Sequence, residues 1–575
     1  MEKTIVAPAQ EAKRQDFQKG GANSLAILLT DPQSDWLSIA FGLRSIGIPF
    51  IVTTDYREAL THRVVLVYPN VTGRSLSSSA LEALTAFPAH GGTLIVQHAL
   101  GGGFDKLIGF ESAVVKNATE LRFKSPSPLV EGLDDPEEKD IRIGGKLVTG
   151  VGTYAYINPK NMPLAVYEDG SAAILGDKTG RAFAFGIDLG YLFSRGYNNR
   201  QQDIAQNYAN AYEPTLDVLL RCLKNIYRQG EKNAVTLGTV PQGKQLAVLF
   251  THDIDYTRSL VNALAYAEFE RSHGITATYF MQVKYVRDWN DDVFFTPDGV
   301  HALRKLQTLG MEIASHTVSH TRAFRTFPLG DGLERYPDYA PFVVDKKLAR
   351  GGSILGELRV SKFMLEQTVP GLQVASFRPG HLAAPYALPQ ALEATGYRYS
   401  SSVTANDSLT HLPFQLTYNR ETSARTAIFE FPLTIEDELD GPMDKRLPQA
   451  IALAHKLGRY GGLFVILIHP DILGHKMAFE KGFVEAMGDK PWYGSVAQFG
   501  DWWSARNEID VDARNRGRGV VVVTLRAPRD IEGLALDLPA GWSFQSSTAG
   551  VSVSQKNQRV ILGRFSGNVE LLFRN

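Results

Sequence analysis

An α/β protein in three folded parts is predicted. A (β/α) barrel over residues 240–507 is preceded by a parallel-sheet α/β domain over 22–230. A small β-sandwich over 508–575 follows it, and residues 1–21 are expected to be a disordered tail. Three observations carry this reading. Apolar, strand-like runs alternate with helical patterns through the first two parts, which argues for parallel strands with covering helices. In the middle part, four such runs end abruptly in charged or imidazole side chains, as barrel strands do at the rim that carries an active site. Beyond residue 508 the pattern shifts to short β runs separated by turn residues.

Bulk properties bound the function. A chain of 575 residues exceeds one hydrophobic core and should hold two or three domains. Hydrophobic content of 44% and charged content of 21% are ordinary for a globular protein. With 60 basic against 61 acidic residues, no electrostatic footprint for nucleic acid or anionic membrane is present. No apolar run approaches the roughly 20 residues of a membrane span. Residues 1–23 lack the apolar core of a signal peptide. The chain is therefore expected to be cytoplasmic if Met1 is the true start, and periplasmic or secreted if a leader has been removed. The single cysteine, Cys222, excludes an internal disulfide and a cysteine-based metal site.

In the first domain, strand-like runs fall at 25–30, 49–54, 64–69 and 93–98, with another at 182–188. The third part carries short β runs at 519–525, 531–538, 550–554, 560–565 and 569–573. Arg514, Arg516 and Arg518 read as a solvated linker leading into them.

The centre of the chain is Leu246-Ala247-Val248-Leu249-Phe250-Thr251-His252-Asp253-Ile254-Asp255. It reads as a buried strand closing on two acids. Side chains alternate along a strand, so Asp253 and Asp255 point to one side, and their repulsion calls for a compensating cation. A helical pattern at 259–273, an apolar run at 276–283 and a helix at 299–310 lead to Glu312-Ile313-Ala314-Ser315-His316-Thr317-Val318-Ser319-His320. Two histidines four apart, one helical turn from each other, can share an ion. Two further runs close on Arg378-Pro379-Gly380-His381 and on Leu467-Ile468-His469. Taken singly, an ion-paired arginine or a core histidine explains each. Four strand ends bearing Asp/Asp, His/His, Arg and His together form a site.

These blocks resemble the polysaccharide deacetylase family, the fourth carbohydrate esterase family, whose domain is a distorted barrel of strands and helices. The first family motif is an acid pair after a strand, here the variant Thr251-His252-Asp253-Ile254-Asp255. The second, His-Ser/Thr-x-x-His, is matched by His316-Thr317-Val318-Ser319-His320. The third contains an arginine, here Arg378, with Gly380-His381-Leu382 where Pro-aromatic-Gly is usual. The last is Leu467-Ile468-His469. The fourth motif, an acid that braces the arginine and base, has Asp407 as its candidate. The segment from Thr93 to Gly101-Gly102-Gly103 resembles glutamine amidotransferase-like domains. The turn there, Gln97-His98-Ala99-Leu100-Gly101, has no Cys or Ser to attack, so this domain is expected to be non-catalytic.

The deacetylase resemblance implies a hydrolase that removes acetyl groups from an N-acetylated polysaccharide or oligosaccharide. Asp255, His316 and His320 would hold a divalent metal with open positions, Zn2+ by its ligand set, with Co2+, Ni2+ or Mn2+ as alternatives. Such an ion acidifies water and polarises the carbonyl. Asp253 would act as base, oriented by Arg378, and His469 as proton donor to the leaving amine. The backbone N–H of His381 would receive the oxyanion. The insertion 321–347, with Phe324, Phe327, Tyr336 and Tyr339, offers aromatics for stacking on sugar rings, Tyr336 and Tyr339 being the expected contacts. An O-acetyl esterase of the acetylxylan type and a retired glycan-binding or scaffold protein are the alternatives.

Overall fold

The computed structural model describes residues 6–17, 20–124, 127–145, 152–198, 204–289, 293–421, 424–548 and 550–575. The chain divides into two compact units. One comprises residues 1–10, 207–211 and 244–501, and the other 11–206, 212–243 and 502–575. Among the described residues no helix is long and apolar enough to cross a membrane.

The unit that contains residues 244–501 is built on a curled sheet. Its central strand, Leu246–Ile254, is buried at every position, as its apolar run requires. It pairs in parallel with Thr278–Met281 on one side and Leu463–Ile468 on the other. The sheet continues in parallel through Glu312–Ser315, Ser376–Phe377, Tyr399–Ser400 and Arg425–Glu430, and Phe414–Thr417 adds an antiparallel edge. Single parallel bridges from Leu433 to Thr404 and from Ile435 to Ile466 draw the two ends of the sheet together. The expected barrel is thus a curled sheet whose ends meet through isolated bridges rather than a continuous ladder. Strands as short as Ser376–Phe377 cannot sustain one. The helices Ser259–Ser272, Pro297–Thr308, Ile354–Thr368 and Met443–Gly458 fall between the strands. Because the strands run parallel, the ends of Leu246–Ile254, Glu312–Ser315, Ser376–Phe377 and Leu463–Ile468 lie on one rim.

In the other unit, five largely apolar strands pair in parallel: Phe50–Thr53, Leu25–Leu29, Val64–Tyr68, Thr93–Gln97 and Ala182–Phe185. Beyond Ala182–Phe185 the sheet turns antiparallel through Ala172–Gly176, Ala165–Tyr167, Glu120–Phe123 and Asp140–Arg142. The sheet is therefore mixed where a parallel one was expected, because strands joined by turns such as Asp169-Gly170 fold back on their neighbours. His98 lies at the sharp turn after Thr93–Gln97, with a left-handed φ of 43°. The three glycines that follow lead into a helix of five residues, Phe104–Ile108.

Two departures concern the ends of this unit. Of the expected tail, residues 1–5 and 18–19 lie outside the described residues, yet Arg14–Phe17 forms a 3-10 turn. Phe17 is buried edge-on to Trp36 and stacked on Phe50, so apolar burial ties this segment down. The arginine-rich linker is a strand, Asp510–Gly517, in a hairpin with Val520–Ile531. Val511 and Ala513 face inward, while Arg514 and Arg516 face solvent. Two four-stranded sheets follow from residue 510 onward, one of which takes in Thr236–Leu237.

Arg506 fastens this unit. Fully buried, its guanidinium donates to the carbonyls of Gly238, Arg44, Ser45 and Leu237 and stacks over Trp503. Two of those carbonyls belong to the last turn of helix Trp36–Ile46, where a cation is favoured. Gly47 ends that helix at φ 82°, and a side chain there would meet the Leu237 carbonyl. Arg506→Ala leaves these acceptors buried and unpaired, and is expected to cost about 3 kcal/mol in urea unfolding of this unit. A cost under about 1 kcal/mol would mean that water replaces the guanidinium.

Candidate active site

Alternation along Leu246–Ile254 sends Thr251 and Asp253 to the rim side, and Asp255 continues that face one step beyond the strand. Asp253 Oδ1 accepts from Arg378 NH1 at 2.7 Å. Arg378 is fully buried and fixed at every nitrogen, donating also to Thr251 Oγ1 and to the carbonyl and hydroxyl of Ser401, and it lies over the Phe280 ring. Such a guanidinium fixes the direction in which its carboxylate points.

Asp255 gathers three imidazoles. Its Oδ1 lies 3.3 Å from His316 Nε2 and 3.2 Å from His320 Nε2, and its Oδ2 lies 3.6 Å from His469 Nε2. Burial alone would raise the Asp255 carboxyl, but the imidazoles of His320 and His316 hold it well below the usual range. His316 Nδ1–H donates to the Arg378 carbonyl, which aims Nε2 at Asp255. The histidine pair lies at a strand end, as its place in the sequence implied, and not on a helix. Residues 316–320 form a loop after Glu312–Ser315, with Thr317 and His320 in left-handed conformations.

Asp255, His316 and His320 fit a divalent ion. Asp255 Oδ1 and His316 Nε2 are buried with no hydrogen-bond partner. Two ligands on a tetrahedral ion with bonds of about 2.0–2.1 Å lie about 3.3 Å apart, the spacing seen here. A second cluster, His252 with Glu270 and Glu480, lies on the opposite face of the same strand and is fully buried. Its His252 Nε2 to Glu270 Oε1 distance of 2.7 Å is a hydrogen-bond contact, shorter than ligands of one ion allow. Tyr279 completes this network with a bond to Glu270. Burial and the neighbouring Glu270 charge hold Glu480 well above the carboxylate range, hence protonated.

His469 is held by a residue that sequence reasoning missed. Asp437 accepts from His469 Nδ1 at 2.7 Å and from the His469 backbone N–H at 2.7 Å. Lys476 in turn bonds Asp437 and Asp471 at 2.6 Å each. Burial would lower the His469 imidazole, but Asp437, with Asp255 and Asp253 behind it, raises it to about 10. Burial would raise Asp437, but His469 and Lys476 bring it to about 2. A weaker signal than at Asp253 was available for Asp437, since the alternating stretch Phe431-Pro432-Leu433-Thr434-Ile435 closes on Glu436 and Asp437. Asp407 does not brace Arg378, whose bonds go to Asp253, Thr251 and Ser401.

The insertion 321–347 is pinned by its own aromatics. Phe324 packs on Phe327 and Phe377. Tyr339 is buried, its hydroxyl bonded to Glu357. Tyr336 is exposed but packs edge-on against Tyr285 and does not line the cleft. A cleft of about 750 Å³ over the site is lined instead by Tyr208, Tyr256, Arg258, His381 and Asp437, among others. A smaller pocket of about 290 Å³ shares Tyr256, His320, Arg322 and His381 with it and adds the exposed Trp289. The His381 ring lies 4.6 Å from that of His320.

No family model matches the chain, and no curated protein matches it. Among solved structures, a putative polysaccharide deacetylase from Mycobacterium smegmatis is 16% identical, with TM-score 0.34, over 46% of this chain and 93% of that one. The Xyl-CE4 domain of a multidomain xylanase from the hindgut metagenome of Trinervitermes trinervoides is 13% identical, with TM-score 0.28, over 44% and 90%. A CE4 family pseudoenzyme from Bacillus anthracis is 13% identical, with TM-score 0.27, over 45% and 66%. These likenesses cover under half of the chain, at scores that decide nothing about its reaction. None supports the amidotransferase-like expectation for the first domain.

Gly380 is the close neighbour of His320, since a Cβ there would sit 2.5 Å from His320 Cδ2. Gly380→Ala is expected to displace the His320 ring and lower zinc affinity by at least about tenfold, read by chelator competition. Unchanged affinity would show that the ring has room to move.

Proposed function

We propose that the unit containing residues 244–501 is a metal-dependent hydrolase that releases acetate from N-acetylated sugars of a polysaccharide or oligosaccharide. The supporting observation is the grouping of Asp255, His316 and His320 at ligand spacing, with an arginine-held Asp253 on one side and an aspartate-held His469 on the other. Bound there, a divalent ion, Zn2+ by its ligand set, supplies Lewis acidity to the acyl carbonyl and to water.

The chain's own groups do the rest. Asp253 accepts the proton of the attacking water, and Arg378 keeps it aimed. The His381 backbone N–H takes the developing oxyanion. His469 Nε2 gives a proton to the departing amine. Asp437 serves that step twice, orienting the ring through Nδ1 and keeping it protonated near neutrality. Tyr256 and Trp289, exposed beside the site, offer faces on which sugar rings can stack.

Acetate release from N-acetylated and O-acetylated glycans tests this reading. Wild type is expected to release acetate from the N-acetylated substrate. Asp253→Asn should retain its metal and lose about 10²- to 10⁴-fold in kcat. Acetate from the O-acetylated glycan alone would make the enzyme an esterase, and acetate from neither would leave a binding protein.

The pH profile tests the acid. The carboxylate of Asp437 is what raises His469, so Asp437→Asn lowers the imidazole pKa. The alkaline limb of kcat should then move to lower pH by about one unit or more. An unmoved limb would assign that limb to another group.

A further inference from the structure

The ligand loop His316-Thr317-Val318-Ser319-His320 is locally unfavourable. Thr317 sits at φ 70° and His320 at φ 47°, and a left-handed β-branched residue is costly. The strand ladder ends before it, at Ser315. Val283 N–H bonds the Thr317 carbonyl, and His320 N–H bonds Thr317 Oγ1. Two of the three residues between the histidines are held by one side chain. Glu357 Oε2 accepts from Val318 N–H at 2.7 Å and from Ser319 N–H at 2.9 Å. Its other oxygen accepts from the Tyr339 hydroxyl at 2.9 Å. Glu357 is fully buried in the first turn of helix Ile354–Thr368, which Ser353 caps. One carboxylate oxygen gripping successive N–H groups is the geometry of an anion nest, here closed within the chain.

We propose that Glu357 is a positioning residue for metal binding, one that keeps the histidine loop in its strained, ligand-ready shape; this rests on the metal-dependent reading above. Removing the acceptor frees the middle of the loop to relax, which separates the two imidazoles by altering the backbone that carries them. Tyr339 and the helix cap hold Glu357 itself.

Titration of metal-free protein with Co2+, followed by its visible absorption, tests this, with melting of the metal-free forms measured alongside. Glu357→Leu removes the acceptor, Glu357→Asp draws it back by one methylene, and Glu357→Gln keeps an acceptor oxygen in place. The Leu and Asp variants are expected to lose about 10- to 100-fold in Co2+ affinity, while Gln stays within about threefold of wild type. Should the Leu variant fail to fold, the contrast between Asp and Gln carries the same decision. Wild-type affinity in the Leu or Asp variant, or a Gln variant as weak as Asp, overturns the proposal. A wild type that takes up no Co2+ overturns the metal-dependent reading, whereas a binding wild type with indifferent variants overturns only the role of Glu357.

Discussion

Two carboxylates leave one buried strand on the same side, and the rest of the site answers their repulsion. Asp253 and Asp255 cannot both stay ionised in a low-dielectric rim without fixed positive partners. The chain supplies different partners to each. Asp253 receives a guanidinium already saturated by neighbouring oxygens, and Asp255 receives the imidazoles of His316 and His320. The first arrangement is closed and fixes a charge. The second has unfilled coordination and invites an ion. That difference separates the surroundings of two side chains that are only two residues apart.

The same strand serves a second purpose on its reverse face. His252, pointing backward by alternation, is locked to Glu270 and packed between Tyr266 and Tyr279. A polar residue in that position restricts register, because a one-residue slip would carry His252 to the rim and both acids into the interior. Burial on both faces therefore specifies which residues reach the site as firmly as the hydrogen-bond ladder does.

Much of the fold was legible because it rests on local pattern. Val64–Tyr68 and the Leu94-Ile95-Val96 centre of Thr93–Gln97 are unbroken apolar runs, and such runs find a buried parallel sheet whatever their context. Asp510–Gly517 was not legible as a strand, because its only buried apolar residues are the small Val511 and Ala513 among arginines and acids. Its identity comes from the partner strand Val520–Ile531, which composition cannot reveal. Phe17 gave too little signal for the same reason, since one aromatic in a polar tail declares itself only through the rings it meets.

The site divides along a similar line. Asp253, His316, Arg378 and His469 each close an apolar run, so position in sequence implied position on the rim. Glu357 gave no such signal. It lies within an amphipathic helix, where a glutamate is ordinarily a solvated residue, and its role depends on two backbone N–H groups about forty residues away. Tyr339 misled in the opposite sense. An aromatic in a Gly/Pro-rich loop suggests a stacking face, but its hydroxyl is bonded to the buried carboxylate of Glu357. Side chains that perform the chemistry advertise themselves by type, whereas those that hold the chemistry in place act through backbone groups, which every residue possesses. The supporting layer of such a site is therefore fixed by tertiary packing, and it becomes readable only when helix and loop are seen together.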